Sequence, residues 1–90
     1  MWGVIMMEYT FRYGNSDIYG TITEEISESE EDLIISAIRN HFDNLEDTYD
    51  LKPIRDRVFS KIAETEPVTE NDILWIHFPD KLVEKVMYGK

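Results

Sequence analysis

Nineteen acidic side chains and two histidines are the residues of this 90-residue chain best suited to chemistry. Carboxylates work in pairs as general acids and bases, hold divalent cations, or attract basic partners. With so many acids, no pair stands out without a pocket to single it out. His41 and His77 have no zinc-ligand spacing. His41 falls within the apolar stripe of an expected helix and reads as an interior or boundary residue. His77 alternates with Trp75 and Ile73, and Asp80 lies three residues on, within reach of a His–Asp contact.

The stretch 43–50 invites a calcium reading and fails it. Counted from Asp43, the third loop position is Leu45 and the sixth is Thr48, where an EF-hand needs an oxygen ligand and a glycine. Ser27 and Ser29 each precede an acid by three residues, the pattern acidophilic kinases prefer, but a helix cap accounts for the same spacing. There is no Gly-x-Ser-x-Gly, phosphate loop or dinucleotide fingerprint, and there is no cysteine. A domain this small also has little room for the roughly 300–1,000 Å³ cleft of a small-molecule site. These features point away from an enzyme and imply no cofactor and no metal.

The net charge of −10 is confined to the middle of the chain. Residues 1–16 balance Glu8 against Arg12, and residues 51–90 balance seven acids against seven bases. Residues 17–50 carry eleven acids and a single base, Arg39. Part of that excess is helix-start chemistry, because Glu28, Glu30, Glu31 and Asp32 favour the positive end of a helix dipole. The remainder suggests a surface for a basic protein partner, with Glu24, Glu25, Glu28, Asp43, Glu46, Asp47 and Asp50 as binding residues and Tyr19 as an aromatic anchor. The opposing expectation is a solvated face that serves solubility. Nucleic acid and anionic membrane surfaces are excluded as partners by the sign of the charge.

The elements that would carry these residues follow from periodicity. Residues 4–13 alternate Ile5, Met7, Tyr9, Phe11 and Tyr13 with Met6, Glu8, Thr10 and Arg12, which predicts a strand. Gly14-Asn15-Ser16-Asp17 is a turn, and residues 18–25 return as the second strand of a hairpin. On that strand Tyr19, Thr21 and Thr23 face solvent, and Gly20 marks a bulge or a bulky cross-strand neighbour.

A helix capped by Ser27 or Ser29 runs to about Asn44, with Ile34, Ala37, Ile38, His41, Phe42 and Leu45 on its apolar side. A second helix, 53–64, has the stripe Ile54, Val58 and Ile62 and the basic cluster Lys52, Arg55, Arg57 and Lys61. Thr69–Asp72 is a turn or a single helical turn. Residues 73–78, apolar on both faces, read as a covered interior strand. Residues 80–88 form a short terminal helix.

The fold class is therefore α+β: one domain over residues 1–90, in ββααβα order, with a three-stranded mixed sheet and helices mainly on one face. The third strand is placed beside the first and parallel to it. Met6 and Met7 are alternative starts, which makes residues 1–5 an expected extension. No secretory leader or membrane span is visible, so a cytoplasmic location is expected. The functional expectation is a non-catalytic interaction module of the inhibitor, immunity or adaptor kind. The alternative is a self-associating subunit, such as a homodimer joined through a strand edge.

Overall fold

A computed structural model describes residues 6–45, 49–69 and 72–89. The elements are β1 (Met6–Gly14), β2 (Tyr19–Ser27), α1 (Glu28–Arg39), a 3-10 turn over Tyr49–Leu51, α2 (Lys52–Thr65), β3 (Trp75–Ile76) and α3 (Asp80–Met87). The strands form one antiparallel sheet in the order β2-β1-β3.

The hairpin turn is held by the side chain of Asn15, whose Oδ1 accepts from the backbone N–H of Asp17 at 2.7 Å and of Ile18 at 2.8 Å. This local bond gives the chain a turn without a flanking element. The register that follows sets Tyr13 opposite Gly20. A Cβ at Gly20 would lie 2.9 Å from the Tyr13 hydroxyl and 3.1 Å from the ring carbon that bears it, so glycine there makes room for the Tyr13 ring.

Phe11, Tyr13 and Ile26 of the hairpin share one core with Ile34 and Ala37 of α1, Ile54, Val58 and Ile62 of α2, and Leu82 of α3. The other face of the hairpin is exposed: Met6, Glu8, Thr10 and Arg12 on β1, and Tyr19, Thr21, Thr23 and Glu25 on β2. The alternation read from the sequence is therefore the alternation observed.

Three expectations are corrected. The sheet is antiparallel throughout, not mixed, although β3 does lie beside β1. The nine residues between α2 and β3 are long enough, at roughly 3.3 Å per extended residue, to bring the chain back beside the hairpin turn. There Asn15 Nδ2 donates to the Asp72 carbonyl, and Leu74 N donates to the Gly14 carbonyl at 2.9 Å. A strand that enters beside the end of β1 runs against it. Thr69 and Asp72 form the expected turn on this path, with Asp72 N donating to the Thr69 carbonyl at 2.9 Å.

β3 is also an edge strand of two residues rather than a covered interior one. Ile73, Ile76 and Phe78 are buried, but Leu74 is 61% exposed.

The third correction concerns α1, which ends at Arg39, short of Asn44. His41 adopts the left-handed conformation (φ 69°). His41 N donates to the Ile38 carbonyl at 3.0 Å and Phe42 N to the Ala37 carbonyl at 3.2 Å, the paired bonds of a Schellman cap. His41 is accordingly exposed, not interior. The turn releases Asn44 to form a bridge with His77, and it returns Leu45 to the core.

Candidate functional site: an acidic corner beside an open strand edge

The chain passes from β2 into α1 through Ser27, which closes a capping box. Its hydroxyl accepts from Glu30 N at 3.3 Å, and its N–H donates to Glu30 Oε1 at 3.0 Å. Two orphan donors are satisfied this way, and acids are drawn into the first turn by the dipole. The junction thus concentrates carboxylates: Glu24 and Glu25 on β2, then Glu28, Glu30, Glu31 and Asp32 on α1.

Half of these carboxylates turn inward. Arg57 of α2 donates from Nε to Glu24 at 3.0 Å and from Nη1 and Nη2 to the two oxygens of Glu30 at 2.5 and 3.0 Å. Nη2 of Arg57 also reaches the Glu25 carbonyl at 3.2 Å. Lys61 pairs with Glu24 at 3.2 Å and donates to the Thr23 carbonyl at 3.0 Å. Glu30 is held at a pKa of about 2, chiefly by the Arg57 hydrogen bonds and against the effect of burial. Burial pushes the Glu24 carboxyl up, but its bonds to Arg57 and Lys61 outweigh this and hold it below its ordinary value. Glu31, only 8% exposed, accepts from the Tyr9 hydroxyl and lies 3.9 Å from Lys85.

The other half faces solvent. Glu25 stands directly opposite Glu8 across the hairpin, both on the exposed face. Glu28 and Asp32 are both exposed and one helical turn apart on α1. Among the described residues none of these four has an ion-pair partner. Like charges directly across a ladder, or four apart on a helix, repel. The corner therefore holds two like-charge pairs, of which Glu28–Asp32 is partly offset by the helix dipole and Glu8–Glu25 is not.

The remaining candidate residues are scattered. Tyr19 is 83% exposed, but it sits at the hairpin end of β2, roughly 20 Å along the strand from Glu25 at ~3.4 Å per residue. Asp43 lies on the rim of a groove of about 270 Å³ formed by Ile38, His41 and Phe42 against Phe78, Val83 and Met87. Asp50 is exposed in the turn before α2. Glu46 and Asp47 lie outside the described residues. The structure thus leaves Glu25 and Glu28 exposed on either side of Ser27, turns Glu24 inward, and adds Glu8 opposite Glu25 and Asp32 one turn from Glu28. Glu8 was legible from the hairpin register implied by the turn; Asp32 was legible from its spacing to Glu28.

The histidines are not drawn into a site. The His77 ring stacks on Trp75 with centroids 4.5 Å apart, while Asp80 pairs with Arg12 at 2.9 Å. Among the described residues no three His, Asp or Glu side chains group as a metal site, and no helix is long and apolar enough to cross a membrane. Comparison with protein-family models, with curated proteins and with solved structures finds no match.

Proposed function

We propose that the chain is a non-catalytic protein-interaction module that binds the basic surface of a protein partner through its acidic corner. Glu25 and Glu28 lead the contact, and Glu8 and Asp32 flank it. The observation that supports this reading is the use made of the basic helix. Arg57 and Lys61 are turned onto Glu24 and Glu30 of the same chain, so they do not neutralise the outward acids. Holding like charges together costs stability, a cost that a basic partner would relieve.

The test is capture from a native lysate at low salt, quantified protein by protein, with wild type and with Glu25→Lys/Glu28→Lys. The expected result is a basic protein retained by wild type and lost both from the double variant and at high salt. Equal capture by the two baits overturns the reading. Glu24 is left intact because it holds α2 in place.

A second reading, self-association, is favoured by one patch. Phe42, Met87 and Tyr88 are exposed apolar residues near the groove that Phe42 and Met87 line with Ile38 and Val83. Light scattering over a concentration series decides it. A mass that stays monomeric at high concentration removes this reading.

A further inference from the structure

We infer that the outer edge of β1 over Met6–Thr10 accepts an extended segment of a protein partner as an added strand, with a lysine or arginine of that segment set against Glu8. This rests on the acidic-corner reading and gives it a mode of binding.

The edge is defined by the direction of the peptide groups. His77 N donates to the Arg12 carbonyl at 2.8 Å, and Leu74 N donates to that of Gly14 at 2.9 Å. Even-numbered residues of β1 therefore turn their peptide groups toward β3. The opposite parity holds on the hairpin side, where Asn15 N donates to the Ile18 carbonyl at 2.8 Å. β3 is only two residues long and pairs with Tyr13 and Gly14. Past Arg12 it leaves the edge, so the peptide groups of Glu8 and Thr10 point out of the sheet. Among the described residues no other backbone segment bonds to them.

A groove of about 320 Å³ runs from the exposed face of the hairpin onto this edge, lined by Glu8, Thr10 and Arg12 of β1 and Thr21 of β2, and bounded at the edge by Tyr9 and by Pro79, Asp80 and Lys81 at the start of α3. The Arg12–Asp80 ion pair stands at its β3 end. Unpaired ladder donors and acceptors are satisfied by extended backbone, the chemistry of strand addition.

Charge selects the occupant. An added strand places every second side chain on the exposed face, next to Glu8 and one strand away from Glu25. A lysine or arginine there would pair with Glu8 and so relieve its repulsion of Glu25. A second copy of this chain fits badly. In the registers open to it no base meets Glu8: pairing centred on Glu8 sets two Glu8 side chains opposite each other, pairing centred on Tyr9 sets Glu8 opposite Thr10, and pairing centred on Thr10, which would bring Arg12, calls on the Arg12 backbone already bonded to His77. Glu8 is thus a guard against self-pairing and a mark for a basic strand.

The experiment selects binders to the folded full chain from a displayed random decapeptide library at low salt. The best peptide is then mapped by amide chemical shifts and hydrogen exchange. The expected peptide carries Lys or Arg at alternate positions and lacks Pro in its centre. Its binding shifts and protects the Glu8 and Thr10 amides, while the Met7 and Tyr9 amides, bonded within the hairpin, change little. Backbone N-methylation at its paired positions weakens binding about tenfold or more.

If the N-methylated peptide binds equally well, strand addition is overturned while the acidic reading stands. If a Lys→Gln peptide binds equally well through the same amides, the basic partner is overturned while the strand edge stands. Failure to select any binder, or shifts at Phe42 and Met87 instead, overturns the inference outright.

Discussion

Arg57 of α2 grips Glu30 of α1 by both carboxylate oxygens, at 2.5 and 3.0 Å, and the same carboxylate caps the helix through the Ser27 N–H at 3.0 Å. One side chain therefore ties the helix start to a second helix. The tie also joins the sheet, because Arg57 reaches Glu24 on β2 at 3.0 Å. Bidentate arginine–carboxylate geometry of this kind is strong for its exposure.

Arg57→Ala is expected to destabilise the fold by about 2 kcal/mol at neutral pH, discounted for the partly exposed guanidinium. The pH dependence has a definite sign. The Glu30 pKa is lowered on folding from 4.5 to about 2. Its contribution is complete above pH 4.5 and lost as pH falls toward 2. Urea denaturation across this range should show that acid limb in wild type and a flatter one in Arg57→Ala.

Tyr9 donates to the buried Glu31 carboxylate, and its own pKa is pushed up to about 12, first by burial and then by Glu31. A raised pKa stabilises the fold below the ordinary tyrosine value of 10, and that stability is lost as pH rises to about 12. Tyr9→Phe should cost about 1–3 kcal/mol at neutral pH, because Glu31 loses its close donor. Absorbance titration should show the late-titrating phenol disappear.

His41 holds a left-handed conformation that glycine adopts without steric cost. His41→Gly is expected to raise stability by about 1 kcal/mol, read as an increase in the denaturation midpoint at unchanged slope.

Glu25→Lys turns the repelling pair with Glu8 into an attractive one. It should add about 0.5 kcal/mol at low ionic strength, and the gain should fade at 1 M salt, where the Debye length is ~3 Å. Thermal melts at the two salt levels check this. The same variant is expected to lose the partner, so stability and binding move in opposite directions at this site.

Much of this was legible one residue at a time. Tyr9, Phe11 and Tyr13 facing inward, and Tyr19, Thr21 and Thr23 facing out, follow from the two-residue period of a strand. Ile54, Val58 and Ile62 follow from the helical period, and Ser27 with Glu30 from cap chemistry. Candidate binding residues chosen by local charge density fared differently. Glu24 and Glu25 are neighbours in sequence, yet a strand sends them to opposite faces, one to Arg57 and the other to solvent.

Strand alternation, the two apolar helix stripes and the helix cap were properties of the sequence alone, because each depends on side chains a few bonds apart and on a fixed backbone period. The end of α1, the direction and brevity of β3, and the inward turn of Arg57 and Lys61 were decided only by the tertiary structure. The apolar pattern of α1 continues through His41, Phe42 and Leu45 and is compatible with more helix. Instead the chain turns at the left-handed His41, and beyond that turn Asn44 meets His77, 33 positions further along the chain. Arg57 likewise meets Glu24 across a separation of 33. Contacts between distant segments depend on where the intervening chain travels, and no local pattern of hydrophobicity or charge specifies that path.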